Sequence, residues 1–215
     1  MDWHGRIIGQ DRSWGAEDAA RLFLCGEAGV PADAATGPVL PARMPGADGV
    51  LHLPALGRVP AEARLALIGF QSLNPHWDGV AVLVGERATH WVTLSAREAI
   101  HQQGSATPAL AAALGLEADR AEGFDPALDR PERLPLLLHD AATPGARLGA
   151  LLGAEVGATR TLWLGQQAVL IGRGPLAAGY AAALQAAHVP VVLTDLAALR
   201  EKGFAALAQA FPTPA

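Results

Sequence analysis

The residues best spaced for chemistry in this sequence act through their backbone. Gly172-Arg173-Gly174-Pro175 separates the apolar run Ala168-Val169-Leu170-Ile171 from a helical pattern of Leu176, Tyr180, Ala183, Leu184 and Ala187. Glycine lets main chain approach a ligand, a helix start offers unpaired N–H groups to an anion, and proline suits the first helical turn. That is the geometry of a nucleotide site. It is equally the geometry of any tight strand-to-helix turn, since the fingerprint of a dinucleotide loop is longer and stricter. Among acids, Glu155 in Gly153-Ala154-Glu155-Val156 stands out. On an otherwise apolar helix it caps a neighbouring loop, holds a ligand, or occupies an exposed position.

Other constellations are weak. No two of the seven histidines sit at i, i+4 beside a carboxylate, so a zinc-protease site is unsupported and no metal ligands are assigned. Cys25 follows the apolar run Leu22-Phe23-Leu24 and reads as a buried, inert thiol. There is no G-x-S-x-G elbow and no Walker A sequence. The five tryptophans are dispersed and form no binding stripe.

The elements that must carry these residues alternate between strand and helix. Val189 to Leu193 is a second strand after the helix, which makes a strand–helix–strand parallel crossover. Gly79 to Val84 and Thr89 to Leu94 read as a hairpin around Gly85-Glu86-Arg87. Helices are expected over 60–73, 106–116 and 148–159, and over 196–211 with an interruption at Gly203. Gly153 and Gly157, four apart, allow close approach of another backbone. Residues 117–133 are charged and carry two prolines, so they form a connector or a helix–loop–helix. The first 60 residues are less regular: short strands near Arg6-Ile7-Ile8, 22–25 and 51–53, weak helix over 16–21, and an extended loop over 31–49.

Composition sets the outer limits. The chain of 215 residues is 51% hydrophobic and 17% charged, enough apolar material for a sizeable core. A net charge of -5 leaves no basic footprint for nucleic acid. No run approaches transmembrane length, and the start lacks the regions of a signal peptide, so no membrane partner and a cytoplasmic location are expected. A single cysteine excludes an internal disulfide.

Leu151-Leu152-Gly153-Ala154-Glu155-Val156, followed by Leu170-Ile171-Gly172-Arg173-Gly174-Pro175-Leu176-Ala177-Ala178-Gly179-Tyr180, resembles the C-terminal end of the 2-dehydro-3-deoxygalactonokinases. These are ATP-dependent sugar-acid kinases of the actin-like fold. The segment Val82-Leu83-Val84-Gly85 to Trp91-Val92 resembles that family's second phosphate loop. Leu67-Ile68-Gly69 resembles the end of the preceding helix, and Leu24-Cys25-Gly26 the strand of a glycine-rich, substrate-side motif. The resemblance implies an α/β fold of the ribonuclease H-like, actin-like ATPase kind. It also implies a sugar-acid ligand, ATP and magnesium as cofactors, and Gly85, Thr89, Gly153, Glu155, Gly172, Gly174 and Pro175 as cofactor-binding residues.

Against the family pattern, the D-W-G-T type phosphate loop is missing, and Met1-Asp2-Trp3-His4-Gly5 fits the hairpin after it. The second loop, of P-G-T-H-S-K-W type, is replaced by Val84-Gly85-Glu86-Arg87-Ala88-Thr89-His90-Trp91, with an acid where phosphate would approach and no lysine. The acidic stretch before Leu67 becomes Ala61-Glu62-Ala63-Arg64, and the T-G-E motif becomes Ala106-Thr107-Pro108. No catalytic base can be assigned; Glu62 and Asp78 are the acids to consider. The expectation is an incomplete N-terminal lobe over 1–78 and a C-terminal lobe over 79–215, with pairing to a second copy through the uncovered face as a hypothesis. Two functions follow: a kinase of 2-dehydro-3-deoxygalactonate or a relative, or a catalytically inactive homologue that binds or regulates.

Overall fold

The computed structural model describes residues 2–116 and 120–212. Residues 117–119 of the charged connector, and the chain ends at 1 and 213–215, lie outside the described residues. In chain order the elements are β1 (Trp3–Ile7), β2 (Ser13–Gly15), β3 (Arg21–Cys25), β4 (Gly37–Pro38), β5 (Gly46–Ala47), β6 (Val50–Leu53), α1 (Ala61–Leu73), β7 (Gly79–Val84), β8 (Thr89–Ser95) and β9 (Glu98–Ser105). Then come α2 (Thr107–Ala113), α3 (Asp125–Asp129), a 3-10 turn (Pro131–Arg133), α4 (Leu134–Asp140), α5 (Pro144–Ala158), α6 (Arg160–Trp163), β10 (Ala168–Ile171), α7 (Gly174–Ala186), β11 (Val191–Leu193) and α8 (Leu196–Ala210).

Two compact units result. Unit 1 comprises Met1–Trp77, Leu94–Gln102 and Asp195–Ala215; unit 2 comprises Asp78–Thr93 and Gln103–Thr194. Sequence order draws one line near residue 78, whereas the units are interleaved, with β8 and β9 each passing from one to the other.

Unit 1 is built on a sheet of order β2-β1-β3-β6-β5. β1, β3 and β6 run parallel, with Ile7 opposite Cys25 and Cys25 opposite Leu53. The segment read as weak helix is instead the turn that joins β2 to β3: the Ala19 amide donates to Ala16 O at 3.1 Å, and β3 begins at Arg21. α1 packs on α8 through two glycines. A Cβ on Gly69 would lie 1.9 Å from Leu199 O, and one on Gly203 would lie 2.2 Å from Leu65 O. Gly203 therefore does not interrupt the last helix; it sits inside α8 because only a bare Cα lets α1 approach. Phe204 beside it fills the space left by Gly5, with the rings of Trp3 and Trp14 against it.

Two buried arginines complete unit 1. Arg21 donates to Ala208 O at 3.0 Å and to Phe211 O, which caps the end of α8, and also pairs with Asp2. Arg64, fully buried on α1, donates to Val39 O and Asp33 Oδ2 at 2.7 Å and to Pro54 O at 3.0 Å. These bonds hold part of the proline- and glycine-rich segment 31–49 that reads from sequence as an extended loop. Burial pulls the Arg64 guanidinium below its ordinary pKa, and Asp33 opposes that pull.

In unit 2 the strands follow the order β11-β10-β7-β8-β9. β7, β10 and β11 are parallel, with Ile171 opposite Leu83 and Leu170 opposite Leu193. The crossover from β10 through α7 to β11 is the one the sequence predicts. Leu148, Leu151, Leu152 and Val156 of α5 pack with Val80, Val82 and Leu170 of the sheet and Leu184 of α7. On another face α5 carries Gly145, Gly149, Gly153 and Gly157. Cβ atoms on the last three would lie 1.8 Å from Glu122 O, 2.5 Å from Phe124 O and 2.5 Å from Leu128 O. The close backbone approach expected at Gly153 and Gly157 is made by the segment leading into and through α3. β9, like the short strands β2, β4 and β5, is not revealed by the sequence pattern.

Candidate functional site

The parallel strands of unit 2 all point their carboxyl ends toward one edge, where β7 ends at Val84, β10 at Ile171 and β11 at Leu193. In open α/β sheets ligands bind outside such carboxyl ends. A Cβ on Gly172 would lie 2.9 Å from Val84 Cβ, so the β10–α7 turn rests against the end of β7, beside Gly85. Gly174 adopts φ +78 with no atom within 4 Å of a Cβ built there. The turn thus needs a left-handed residue, and the space next to it is open. α7 starts with Pro175 in its first turn and no side-chain cap. Its first amides are the orphan donors that an anion satisfies at a helix start. Gly85, Glu86 and Arg87 of the β7–β8 turn are exposed on one side, and Arg173, Gly174 and Pro175 on the other.

Beneath this edge lies a buried polar chain. Thr89, fully buried as the first residue of β8, donates its hydroxyl to Tyr180 Oη at 2.7 Å. Tyr180 Oη, on α7, donates to Glu155 Oε2 at 2.6 Å. Ser105 Oγ of β9 donates to the same oxygen, and Trp91 Nε1 of β8 to Glu155 Oε1, both at 2.6 Å. Thr107 Oγ1 lies 3.0 Å from Ser105 Oγ. Three donors stand in for the water that the Glu155 side chain loses on burial. The phenol of Tyr180 is pushed up, by burial first and then by the adjacent Glu155 charge, so it stays a neutral donor.

The residues assigned from sequence therefore divide. Gly85, Gly172, Gly174 and Pro175 come together at the strand ends. Thr89 and Glu155 lie in the interior with their polar atoms bonded to protein, and Gly153 faces the Phe124 carbonyl at a helix contact. Of the residues that complete the chain, Trp91 and Tyr180 carry no sequence signal beyond a polar atom inside an apolar pattern, and Ser105, after Gln102-Gln103-Gly104, carries none. Glu62 sits in the first turn of α1 in unit 1, and a Cβ on Gly26 would lie 4.0 Å from its Oε2. Asp78 precedes β7 at the opposite edge of the unit 2 sheet. There a depression of about 660 Å3 runs from Asp78 past Trp163 and Gln167 to His188. Strand polarity favours the carboxyl edge over this depression as the ligand face.

A nucleotide fits the carboxyl edge in part. Uncapped amides and the exposed Arg87 and Arg173 favour phosphate; Glu86 opposes it. Among the described residues no group of three His, Cys, Asp or Glu side chains converges on a point. Magnesium commonly uses one or two carboxylates and takes its other ligands from phosphates and water.

Comparison with known proteins adds to this geometry. The sequence model of the 2-keto-3-deoxy-galactonokinase family matches residues 129–207, which contain α5, β10 and α7. No curated protein matches the chain. A Sinorhizobium meliloti crystal structure described as a 2-dehydro-3-deoxygalactonokinase is similar, with a TM-score of 0.74 and 17% identity over 88% of this chain and 79% of that one. Component A of the (R)-2-hydroxyglutaryl-CoA dehydratase of Acidaminococcus fermentans aligns with a TM-score of 0.43 and 12% identity, over 68% of this chain and 66% of that one. The fold is thus α/β with two sheets, shared with the Sinorhizobium meliloti structure, and the family model agrees with the resemblance read from sequence over residues 129–207.

Proposed function

We propose that this chain is a sugar-acid kinase relative that binds ATP at the carboxyl edge of the unit 2 sheet. The observation that carries the reading is the uncapped start of α7 at Gly174-Pro175, rising from β10 beside the β7–β8 turn. The amides of this first turn and Arg173 would face the nucleotide from one side and Gly85 and Arg87 from the other. Magnesium would neutralise charge on the phosphates, held by them and by water. A sugar acid of the 2-dehydro-3-deoxygalactonate kind would bind unit 1 at the carboxyl ends of β1, β3 and β6, near Gly26 and Glu62. No side chain is assigned as the base.

A second reading has its own support. Phosphoryl transfer depends almost wholly on positioning and electrostatics. Here the turn nearest the phosphates carries Glu86, and the Thr89 hydroxyl is bonded inward to Tyr180. A homologue that binds ligand without transferring phosphate fits these two facts. Calorimetric titration with ATP, with and without magnesium, and then with 2-dehydro-3-deoxygalactonate, tests the binding. Phosphorus NMR of the mixture tests transfer. Magnesium-dependent binding with a new phosphate ester supports the kinase; binding without ester supports the second reading; no nucleotide binding by the folded chain removes the proposed site.

A further inference from the structure

The two turns that flank the candidate nucleotide edge are tied to one buried chain. Thr89 follows directly on the β7–β8 turn, which closes on itself through the Gly85 amide and Ala88 O at 3.0 Å. Tyr180 sits on the helix whose first turn begins at Gly174. Their hydroxyls meet at 2.7 Å, and Glu155 holds the far side at 2.6 Å. Thr89 and Tyr180 are fully buried, and Glu155 is 7% exposed. Valine and phenylalanine would fill the positions of Thr89 and Tyr180 with nearly the same shape. Filling the space at these two positions does not require hydroxyls, so what the hydroxyls add is a directional link between the two elements. Short directional bonds fix orientation, which apolar contact does not.

We propose that the Thr89–Tyr180–Glu155 chain is a positioning device that holds the first turn of α7 in register with the β7–β8 turn. Its role in ligand binding rests on the reading of that edge as the nucleotide site. None of the three residues touches the ligand; each acts through the turn it anchors. Glu155 extends the hold to Trp91 and Ser105, so β8 and the end of β9 take their places around the same carboxylate.

The full chain is tested as Thr89→Val, Thr89→Ser and Tyr180→Phe, well below the midpoint of thermal unfolding. Amide hydrogen exchange is read at the β7–β8 turn and in the first hydrogen-bonded turn of α7, and Mg-ATP affinity by calorimetry. Loss of one buried hydrogen bond predicts about tenfold faster exchange at both turns in Thr89→Val and Tyr180→Phe, and about tenfold weaker nucleotide binding. Thr89→Ser, which keeps the hydroxyl, restores both. Thr89→Val that exchanges faster only around residue 89, or uniformly along the chain, overturns the proposal. So does wild-type nucleotide affinity in that variant. If wild type binds no nucleotide while both turns loosen in Thr89→Val, the positioning role stands and the nucleotide reading falls.

Discussion

At the scale of single residues, Glu155 carries the largest consequence. Its two oxygens accept from Trp91, Ser105 and Tyr180, all within unit 2. Alanine there would strand the buried donors of Trp91 and Tyr180 and the half-buried hydroxyl of Ser105 and open a void, at a cost of about 3–5 kcal/mol in urea unfolding. Glutamine keeps the shape and one acceptor and should cost about 1–2 kcal/mol. Equal costs for the two substitutions would mean that packing, and not hydrogen bonding, holds the site. A second residue-scale effect is alkaline lability. Burial pushes the Cys25 thiol up, with Glu62 adding to it, and pushes the Tyr180 phenol up. The native state thus keeps two protons that the unfolded chain releases above its ordinary values of about 9 and 10. Their contribution is complete below pH 9 and is lost as pH rises beyond it. The melting temperature should fall steadily from about pH 9 to 11, and Cys25→Ala should delay the first part of the fall. A flat profile would contradict the burial of both groups.

At the scale of elements, glycines decide which helices can touch. Gly203→Ala should gain about 1 kcal/mol of helix propensity in α8. The added methyl meets Leu65 O at 2.2 Å, so the backbones of α1 and α8 must part. A net loss of about 1–3 kcal/mol is expected in denaturant unfolding, and a stabilised variant would show that the two helices yield. Such contacts also explain what the sequence makes legible. β7 and β10 can be read with their observed bounds because each is a buried apolar run ended by a glycine turn. The α5 contact is legible because Gly153 and Gly157 are four apart. Gly203 looks like a helix breaker because its partner, Leu65, lies far away in the chain. β9 escapes notice because Glu98-Ala-Ile-His-Gln-Gln-Gly-Ser buries only Ala99, and its membership in the sheet comes from pairing with β8 and β4. Of the site, the α7 turn is local and readable. Glu155 stands out as an acid on an apolar helix, but its partners lie 64, 50 and 25 residues away, and no local pattern identifies them.

At the scale of the whole molecule, the interleaving of the units has a consequence that neither unit's contents suggest. The chain passes between them at 77–78, 93–94, 102–103 and 194–195, so no single cut releases an intact unit 1. α8, the last element, belongs to unit 1 with the first 77 residues. It brings Phe204 and Leu207, both fully buried, and Leu199 to that core. Ending the chain at Thr194 would uncover Trp3, Trp14 and the α1 face around Leu65 and Gly69. It would also leave the buried Arg21 guanidinium without the Ala208 and Phe211 carbonyls. Each large apolar side chain removed from a core costs about 2–5 kcal/mol, and three such losses exceed most of the ~5–15 kcal/mol that holds a domain together. The shortened chain should therefore lose structure throughout unit 1, although every residue from 1 to 77 is still present. Limited proteolysis gives the readout: new cleavage sites spread across 2–77, including within α1 and β3, with red-shifted tryptophan emission. Cleavage confined to the new C-terminus, with α1 and β3 protected, would show that the β1–β3–β6 sheet and α1 form a stable core without α8.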